Sequence, residues 1–471
     1  MKQYTAVIIG GGPAGHACAV RVTQLGGKAA LVERDFIGGI CTNWGCTPSK
    51  SMIESAKIAR VVRESGRYGI DVTGYSVDFK RVAQRRDDVI RKTRAEQTQL
   101  LQHFGVDIYQ GEGQITAPGR VSVRLGKLDS DGESMHFSSE NEVELQTEHI
   151  VLATGSRPLI PGFIDALDPT VVSSNRLISI DCLPETLTIV GGGVIGLEFA
   201  TIFSNLGSKV TIVEFLERVL ATMDPEISAE ITRLMESNGV KILTAHKVTS
   251  LNNGVLHAEN LHSGEAIELR GAVNLIAIGR QAVVDADHCN QIGLEVTRQG
   301  ITVNDTLQTN LPKVWAVGDA TGKSILAHVG IQQGMVCAEN IMAGAPERMR
   351  SMDYSVIPAV IYTTPEVVGV GNVPADLTGV EVIKVPFSAN LRASIEAYDE
   401  GFIKLWIKES RVVAAQAIGH NVSEIMQELA NMIALRTDIR QVADIIHAHP
   451  TYAEIIRTAL LLALGRAVDT Y

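Results

Sequence analysis

The sequence predicts an α/β fold, with two Rossmann-like nucleotide-binding units followed by a C-terminal α+β region. Three observations predict it. An apolar strand, a glycine-rich turn and a helical stretch follow one another at the N-terminus; the pattern recurs at Gly191; and from residue 350 onward alternating apolar runs replace it.

The first unit opens with a strand over Thr5–Ile9 and the turn Gly10-Gly-Gly12-Pro13-Ala14-Gly15. A helical stretch and a second strand, Ala29–Val32 ending at Glu33, complete it. Glycines permit the tight turn and close approach to a pyrophosphate, which the helix N-terminus stabilises. The acid closing the second strand binds ribose hydroxyls. In the second unit, Leu187–Val190 leads into Gly191, Gly193 and Gly196, and Val210–Val213 ends at Glu214. Each acid falls 23 residues after the first glycine of its turn. A repeat of strand, turn, helix and acid with one spacing predicts two dinucleotide sites. Glu214 accepts hydrogen bonds from a free 2′-hydroxyl and repels a 2′-phosphate, and Arg218 is the one arginine nearby, so NAD is expected over NADP. Strands over Ile150–Ala153, ending in Thr154-Gly155, and Leu275–Ile278, ending in Gly279-Arg280, are expected where the chain leaves one nucleotide unit and returns to it. Val314–Val317 ends at Gly318-Asp319, whose carboxylate is expected to reach the polar chain of a cofactor held by the first unit. The region after residue 350 reads as a sheet, with strands at Phe402–Ile407 and Val412–Ile418, and helices after Ser423.

At 471 residues the chain exceeds one core and should divide into domains. A net charge of −11 disfavours nucleic acid and anionic membrane as partners. No apolar run reaches membrane-span length, and a strand beginning at Thr5 leaves no room for a targeting peptide, so a reducing cytoplasm is expected. Six cysteines are too few for a secreted disulfide framework; Cys18, Cys182, Cys289 and Cys337 are expected to be buried small hydrophobes.

Cys41 and Cys46, in GGICTNWGCTPSK, are different. A staple closing so short a loop would remove only about 2 kcal/mol of unfolded-state entropy. No neighbouring cysteine or histidine pair completes a zinc set, so no metal is expected. Thr47-Pro48 reads as N-cap and first helical residue, placing Cys46 at a helix N-terminus that favours thiolate, and Lys50 adds positive charge. A redox-active dithiol is expected.

These motifs, with ATGSRP at 153–158, AVGD at 316–319, LAH at 326–328, YTTPE at 362–366 and HAHPTYAE at 447–454, resemble the pyridine nucleotide–disulfide oxidoreductases. The likeness runs essentially end to end and is strongest to their dihydrolipoamide dehydrogenase branch. It implies an FAD-binding domain over 1–150 with a return segment over 278–349, an NAD-binding domain over 151–277, and a dimerisation domain over 350–471. Cys46 is implied as the flavin-proximal thiol and Cys41 as the interchange thiol. Lys50 is implied near the flavin and paired with Glu198, with Asp319 on the ribityl chain and Ala327-His328 at the pyrimidine edge. His449, supported by Glu454, is implied as the acid/base that reaches the cysteines of the other subunit, while His447 is expected to be structural. The expected reaction passes electrons from a small dithiol or lipoyl-domain substrate to NAD in a homodimer; a 2-oxoacid dehydrogenase complex is one setting the resemblance allows, and the sequence does not say which complex, if any, the chain serves. Trp44 and Thr47 depart from the family's aliphatic residues and are expected to reshape the substrate channel. No terminal cysteine pair of the mercuric reductase kind is present, and Val194 stands where glutathione reductases carry a tyrosine.

Overall fold

The structure is a computed structural model that describes residues 2–128 and 135–468. Its first sheet has six strands. β1 (Gln3–Ile9), β2 (Ala29–Glu33) and β3 (Asp107–Ala117) run parallel; β3, β4 (Arg120–Leu128) and β5 (Met135–Leu152) form an antiparallel meander. The far end of β5 lies parallel to β1, and β16 (Val314–Ala316) pairs with that same end. β2 is buried at every position and β1 at nearly every one, as expected of parallel strands covered on both faces. α1 (Pro13–Gln24) packs along α9 (Ala327–Ala343).

The second sheet is wholly parallel, in the order β10 (Lys241–Leu243), β9 (Lys209–Val213), β8 (Thr186–Val190), β14 (Val273–Ile276), β7 (Val171–Ser173). Its helices are α5 (Ser174–Leu177), α6 (Val194–Leu206) and α7 (Pro225–Ser237), and a meander of β11 (His246–Asn252), β12 (Val255–Asn260) and β13 (Ala266–Arg270) adjoins it. The outgoing and returning segments run side by side: β6 (Ser156–Pro158) pairs antiparallel with β15 (Arg280–Ala282), and α8 (Ala286–Ile292) follows. A third, antiparallel sheet orders β17 (Ala359–Ile361), β18 (Glu366–Gly371), β21 (Arg411–Gly419), β20 (Phe402–Lys408) and β19 (Val380–Pro386). With it go α10 (Leu391–Ile395), α11 (Val422–Ala434), α12 (Ile439–Ala443) and α13 (Glu454–Ala463).

The site is positioned by α2 (Gly39–Asn43), α3 (Cys46–Arg63) and α4 (Phe79–His103). Met52, Ile53, Ala56 and Ala59 on α3 are buried in one cluster with Phe199 and Phe203 of α6 and Ile361 and Val367 of the third sheet. Burying Met52 and Ile53 stabilises this seating by roughly 1.5–3 kcal/mol each. One helix is thereby held by all three units.

Two expectations are corrected. Thr47 does not cap α3: the Ser49 N–H already reaches the Gly45 carbonyl at 3.0 Å, so the helix begins at Cys46 and Pro48 is its third residue. Cys182 is exposed rather than buried, because it lies in the short loop between α5 and β8; Cys18, Cys289 and Cys337 are buried as expected.

Candidate active site

Two glycine turns with matching geometry open the two nucleotide units. Gly10 has φ +113° and Gly191 has φ +110°, and a Cβ there would lie 2.1 Å and 2.5 Å from the carbonyl oxygens of Ala153 and Ala277. A Cβ on Gly15 or Gly196 would meet the Gly10 or Gly191 carbonyl at 1.9 or 2.0 Å, so only glycine lets helix and strand approach so closely. Gly12 and Gly193 are the N-caps of α1 and α6, and no side chain caps either helix; the space beside Gly193 is open, and a Cβ on Gly12 would meet only the Gly39 Cα at 3.9 Å. Pro13 is the first residue of α1, with Ala14 behind it. Each turn thus offers unclaimed N–H groups and a positive dipole end to a pyrophosphate, which is the fit a dinucleotide requires.

The two acids are held alike. Glu33 accepts from the N–H groups of Gly11 (2.6 Å) and Asp35 (2.7 Å), and Glu214 from those of Gly192 and Leu216 (2.7 Å to the latter). Burial pushes the Glu33 carboxyl up, while those N–H groups pull it down. Arg218 turns away from Glu214 and donates to the Ala221 carbonyl at 2.9 Å.

Thr154 and Gly155 follow β5, and the Thr154 hydroxyl donates to the Val283 carbonyl at 2.7 Å. Gly279, at φ +136°, begins the return to the first unit. At this crossing Ser156 donates to Asp319 at 2.5 Å, and Arg280 donates to the Ser156 hydroxyl (2.8 Å) and carbonyl (2.9 Å). Burial raises the Asp319 carboxyl, with Ser156 and Arg280 opposing. Ala327 is the first residue of α9, and no side chain caps that helix either.

Cys41 lies on α2 and Cys46 is the first residue of α3. The two thiols act on each other with opposite consequences. The Cys41 thiol, helped by Lys50 and opposed by burial, lowers Cys46 to about 7. The Cys46 thiol, followed by burial, pushes Cys41 far up. The pair is therefore polarised, with the anion favoured at Cys46. Lys50, one turn along α3, contacts both Glu198 oxygens at 3.1 and 2.9 Å. Glu198 lies on α6, is 8% exposed, and also accepts the Tyr362 N–H at 3.0 Å. The Lys50 ammonium sits 4.5 Å from the Tyr362 ring centre. Residues of the first, second and third units therefore meet at one carboxylate.

His449 lies elsewhere on this chain. Its Nδ1–H donates to Glu454 Oε1 at 2.9 Å, while Glu454 Oε2 accepts the Thr451 N–H at 2.8 Å. The imidazole is 64% exposed, and no hydrogen bond or ion pair joins it to either thiol among the described residues. His447 is the sequestered one, 9% exposed and facing Glu428 at 3.2 Å. Sequence reasoning did not single out Ser156, Arg280 or Tyr362 as site residues; for Arg280 the Gly-Arg ending of a strand was the available signal.

The chain matches the sequence profile described as pyridine nucleotide-disulphide oxidoreductase over residues 4–334, and the dimerisation domain of those enzymes over 357–460. It is 33% identical to a dihydrolipoyl dehydrogenase of Bacillus subtilis, covering 99% of each chain. A Pseudomonas aeruginosa protein of that name is 33% identical over 99% of this chain and 98% of its own. Among solved structures it resembles a Cu(II) complex of the HOCl-induced flavoprotein disulfide reductase RclA of Escherichia coli, with 26% identity, TM-score 0.85, and 98% and 100% of the two chains covered. LpdA of Mycobacterium tuberculosis, 22% identical with TM-score 0.85 over 98% and 99% of the two chains, shares the fold. Among the described residues no helix is long and apolar enough to cross a membrane.

Proposed function

This chain belongs to the pyridine nucleotide–disulphide oxidoreductase family, and from that premise we propose that it oxidises a dihydrolipoyl dithiol to its disulfide with NAD as acceptor. It is a flavoprotein disulfide oxidoreductase whose cofactors are FAD and NAD. The net reaction is dithiol + NAD⁺ → disulfide + NADH + H⁺, and the bound flavin supplies the two-electron link between the thiols and the nicotinamide.

The observation that carries the reading is the polarised thiol pair beside the Lys50–Glu198 ion pair. With Cys41 and Cys46 joined as a disulfide, a substrate thiolate attacks the Cys41 sulfur. Cys46 leaves as a thiolate, the form that the nearby Lys50 ammonium favours. The second substrate thiol then displaces Cys41 and closes the substrate disulfide. His449 of one subunit takes that thiol's proton at Nε2, since Glu454 fixes its Nδ1–H, and the partner copy carries the histidine to the cysteines. Lys50 offsets the charge left at Cys46. Gly10, Gly12, Gly15, Glu33, Thr154, Gly155, Gly279, Asp319 and Ala327 would hold FAD; Gly191, Gly193, Gly196 and Glu214 would hold NAD. Two facts favour NAD over NADP: the carboxylate Glu214 occupies the ribose end, and Arg218 is engaged elsewhere. The lipoyl group, and service to a 2-oxoacid dehydrogenase complex, rest on the curated relatives.

The test is NAD reduction by dihydrolipoamide, with NADP in parallel. Steady turnover with NAD and little with NADP is expected. If dihydrolipoamide fails while NADH reduces another disulfide or Cu(II), the reductase reading suggested by the likeness to RclA replaces this one.

A further inference from the structure

His449 is exposed, and the one hydrogen bond its ring makes among the described residues goes to Glu454. What fixes Glu454 therefore fixes the imidazole. The carboxylate's other oxygen accepts the Thr451 N–H at 2.8 Å, and Thr451 has no polar group to spare. Its hydroxyl donates to the Ala448 carbonyl at 2.8 Å, and its carbonyl accepts from the Asn390 side-chain amide at 3.0 Å. Asn390 is 4% exposed, and its own side-chain oxygen caps α10 by accepting the Ala393 N–H at 3.0 Å. The amide is thus locked at both ends. A single path of hydrogen bonds runs from α10 through Thr451 and Glu454 to His449.

α10 holds the next residue of the turn as well. The Tyr452 hydroxyl donates to Glu396 Oε2 at 2.9 Å, at the far end of α10. Burial pushes the Tyr452 phenol up and the Glu396 carboxylate adds to that, so the group stays a donor. The Tyr452 ring centre lies 5.6 Å from that of His420 and 6.3 Å from that of Phe387. α10 is fastened in turn to the thiol helix of its own chain. Arg67 and Tyr68, just past the end of α3, donate to the Ala397 and Glu396 carbonyls at 2.9 and 2.7 Å. In a two-fold dimer both copies of α3 are related by symmetry, so a fixed place beside one chain's α3 is a fixed place relative to the partner's.

We propose that Asn390 and Tyr452 are positioning residues for His449: α10 grips the turn that bears the imidazole and aims Nε2 at the thiol pair of the second subunit. The role rests on the dithiol-oxidising reading above. An exposed side chain anchored at one nitrogen would otherwise sample several rotamers, and proton transfer demands an acceptor within hydrogen-bond reach of the thiol. Deleting the Asn390 or the Tyr452 bond keeps both His449 and Glu454 but loosens their alignment. The step that passes electrons from NADH to the flavin does not use the imidazole and should not respond.

Asn390→Ser keeps an oxygen that caps α10 but is too short to reach Thr451, and Tyr452→Phe keeps the ring but loses the bond to Glu396. In the holoenzyme each should lower kcat for dihydrolipoamide oxidation about tenfold, while KM stays within about twofold of the parent. Flavin reduction by NADH, followed by stopped flow, should match the parent. In a His449→Gln background Asn390→Ser should cost nothing further, since both act through one group. Parental kcat in either variant, an equal loss in the NADH step, or full additivity with His449→Gln overturns the proposal. Crystal structures of the holoenzyme homodimer report the outcome without turnover: in Asn390→Ser the His449–Glu454 contact should be broken or divided between rotamers. If the parent oxidises no dithiol, the functional reading fails; a displaced imidazole in Asn390→Ser still upholds the positioning role, and an undisturbed one overturns it.

Discussion

Cys46 and Cys41 differ because the two thiols act on each other with opposite signs, and Lys50 reinforces the difference. With its pKa lowered to about 7, Cys46 forms thiolate at a lower pH than an ordinary thiol, whose pKa is about 8.5. In the reduced protein the rate of iodoacetamide alkylation at Cys46 should therefore rise through a midpoint near 7. Cys41→Ala deletes the largest influence that lowers Cys46 and should move the midpoint upward; an unchanged midpoint would show that the Cys41 thiol is not the cause. At His449 the fixed Nδ1–H leaves Nε2 as the proton acceptor. His449→Gln should lower kcat for dithiol oxidation by about 10²–10⁴-fold with flavin content unaltered. Glu454→Gln, which keeps a hydrogen-bond acceptor but loses the charge, should cost less. Equal kcat in all three proteins would remove His449 from the proton path.

At the scale of elements, the two glycine turns were legible in the sequence because their requirements are local. The positive φ of Gly10 and Gly191 and the close approach at Gly15 and Gly196 act within a few residues of the motif. The buried parallel strands β1, β2, β8, β9, β14 and β16 were equally legible, since burial on both faces demands unbroken apolar runs; half-buried β3 and the three-residue β7 and β10 were not. α2 was not: GICTN has no periodicity, and its helical turn depends on packing against α3 and α4. The start of α3 was misjudged because Thr47-Pro48 has the composition of a cap, yet the Gly45 carbonyl is already bonded. Lys50 and Glu198 stand 148 residues apart, so resemblance linked them and periodicity could not. Tyr362, Ser156 and Arg280 join the site through contacts between units, which leave no trace in a local pattern. Gly15→Ala tests the element directly. Its Cβ would lie 1.9 Å from the Gly10 carbonyl, so the turn must open and the purified protein should lose its flavin absorbance. Full flavin occupancy in that variant would contradict the assignment of this turn to FAD.

Across the whole molecule, the exposed His449 has a role in the proposed reaction only if a second copy supplies the thiols. The third unit matches the family's dimerisation domain and exposes Leu435 (77%), Ile445 (56%) and Ile446 (92%), apolar surface of the kind that marks an interface. Leu435→Glu combined with Ile446→Glu should yield monomers by sedimentation, with flavin retained and dithiol oxidation lost. A monomer of full activity would mean that each chain completes its own site. In the proposed reaction substrate electrons enter through Cys41 and leave through Cys46. The most direct measurement is NAD reduction by dihydrolipoamide in Cys41→Ser beside the parent, with NADH-driven reduction of an artificial electron acceptor as control. Turnover is expected in the parent and none in Cys41→Ser, with the control reaction intact in both. Parental rates of dihydrolipoamide oxidation in Cys41→Ser would contradict that route.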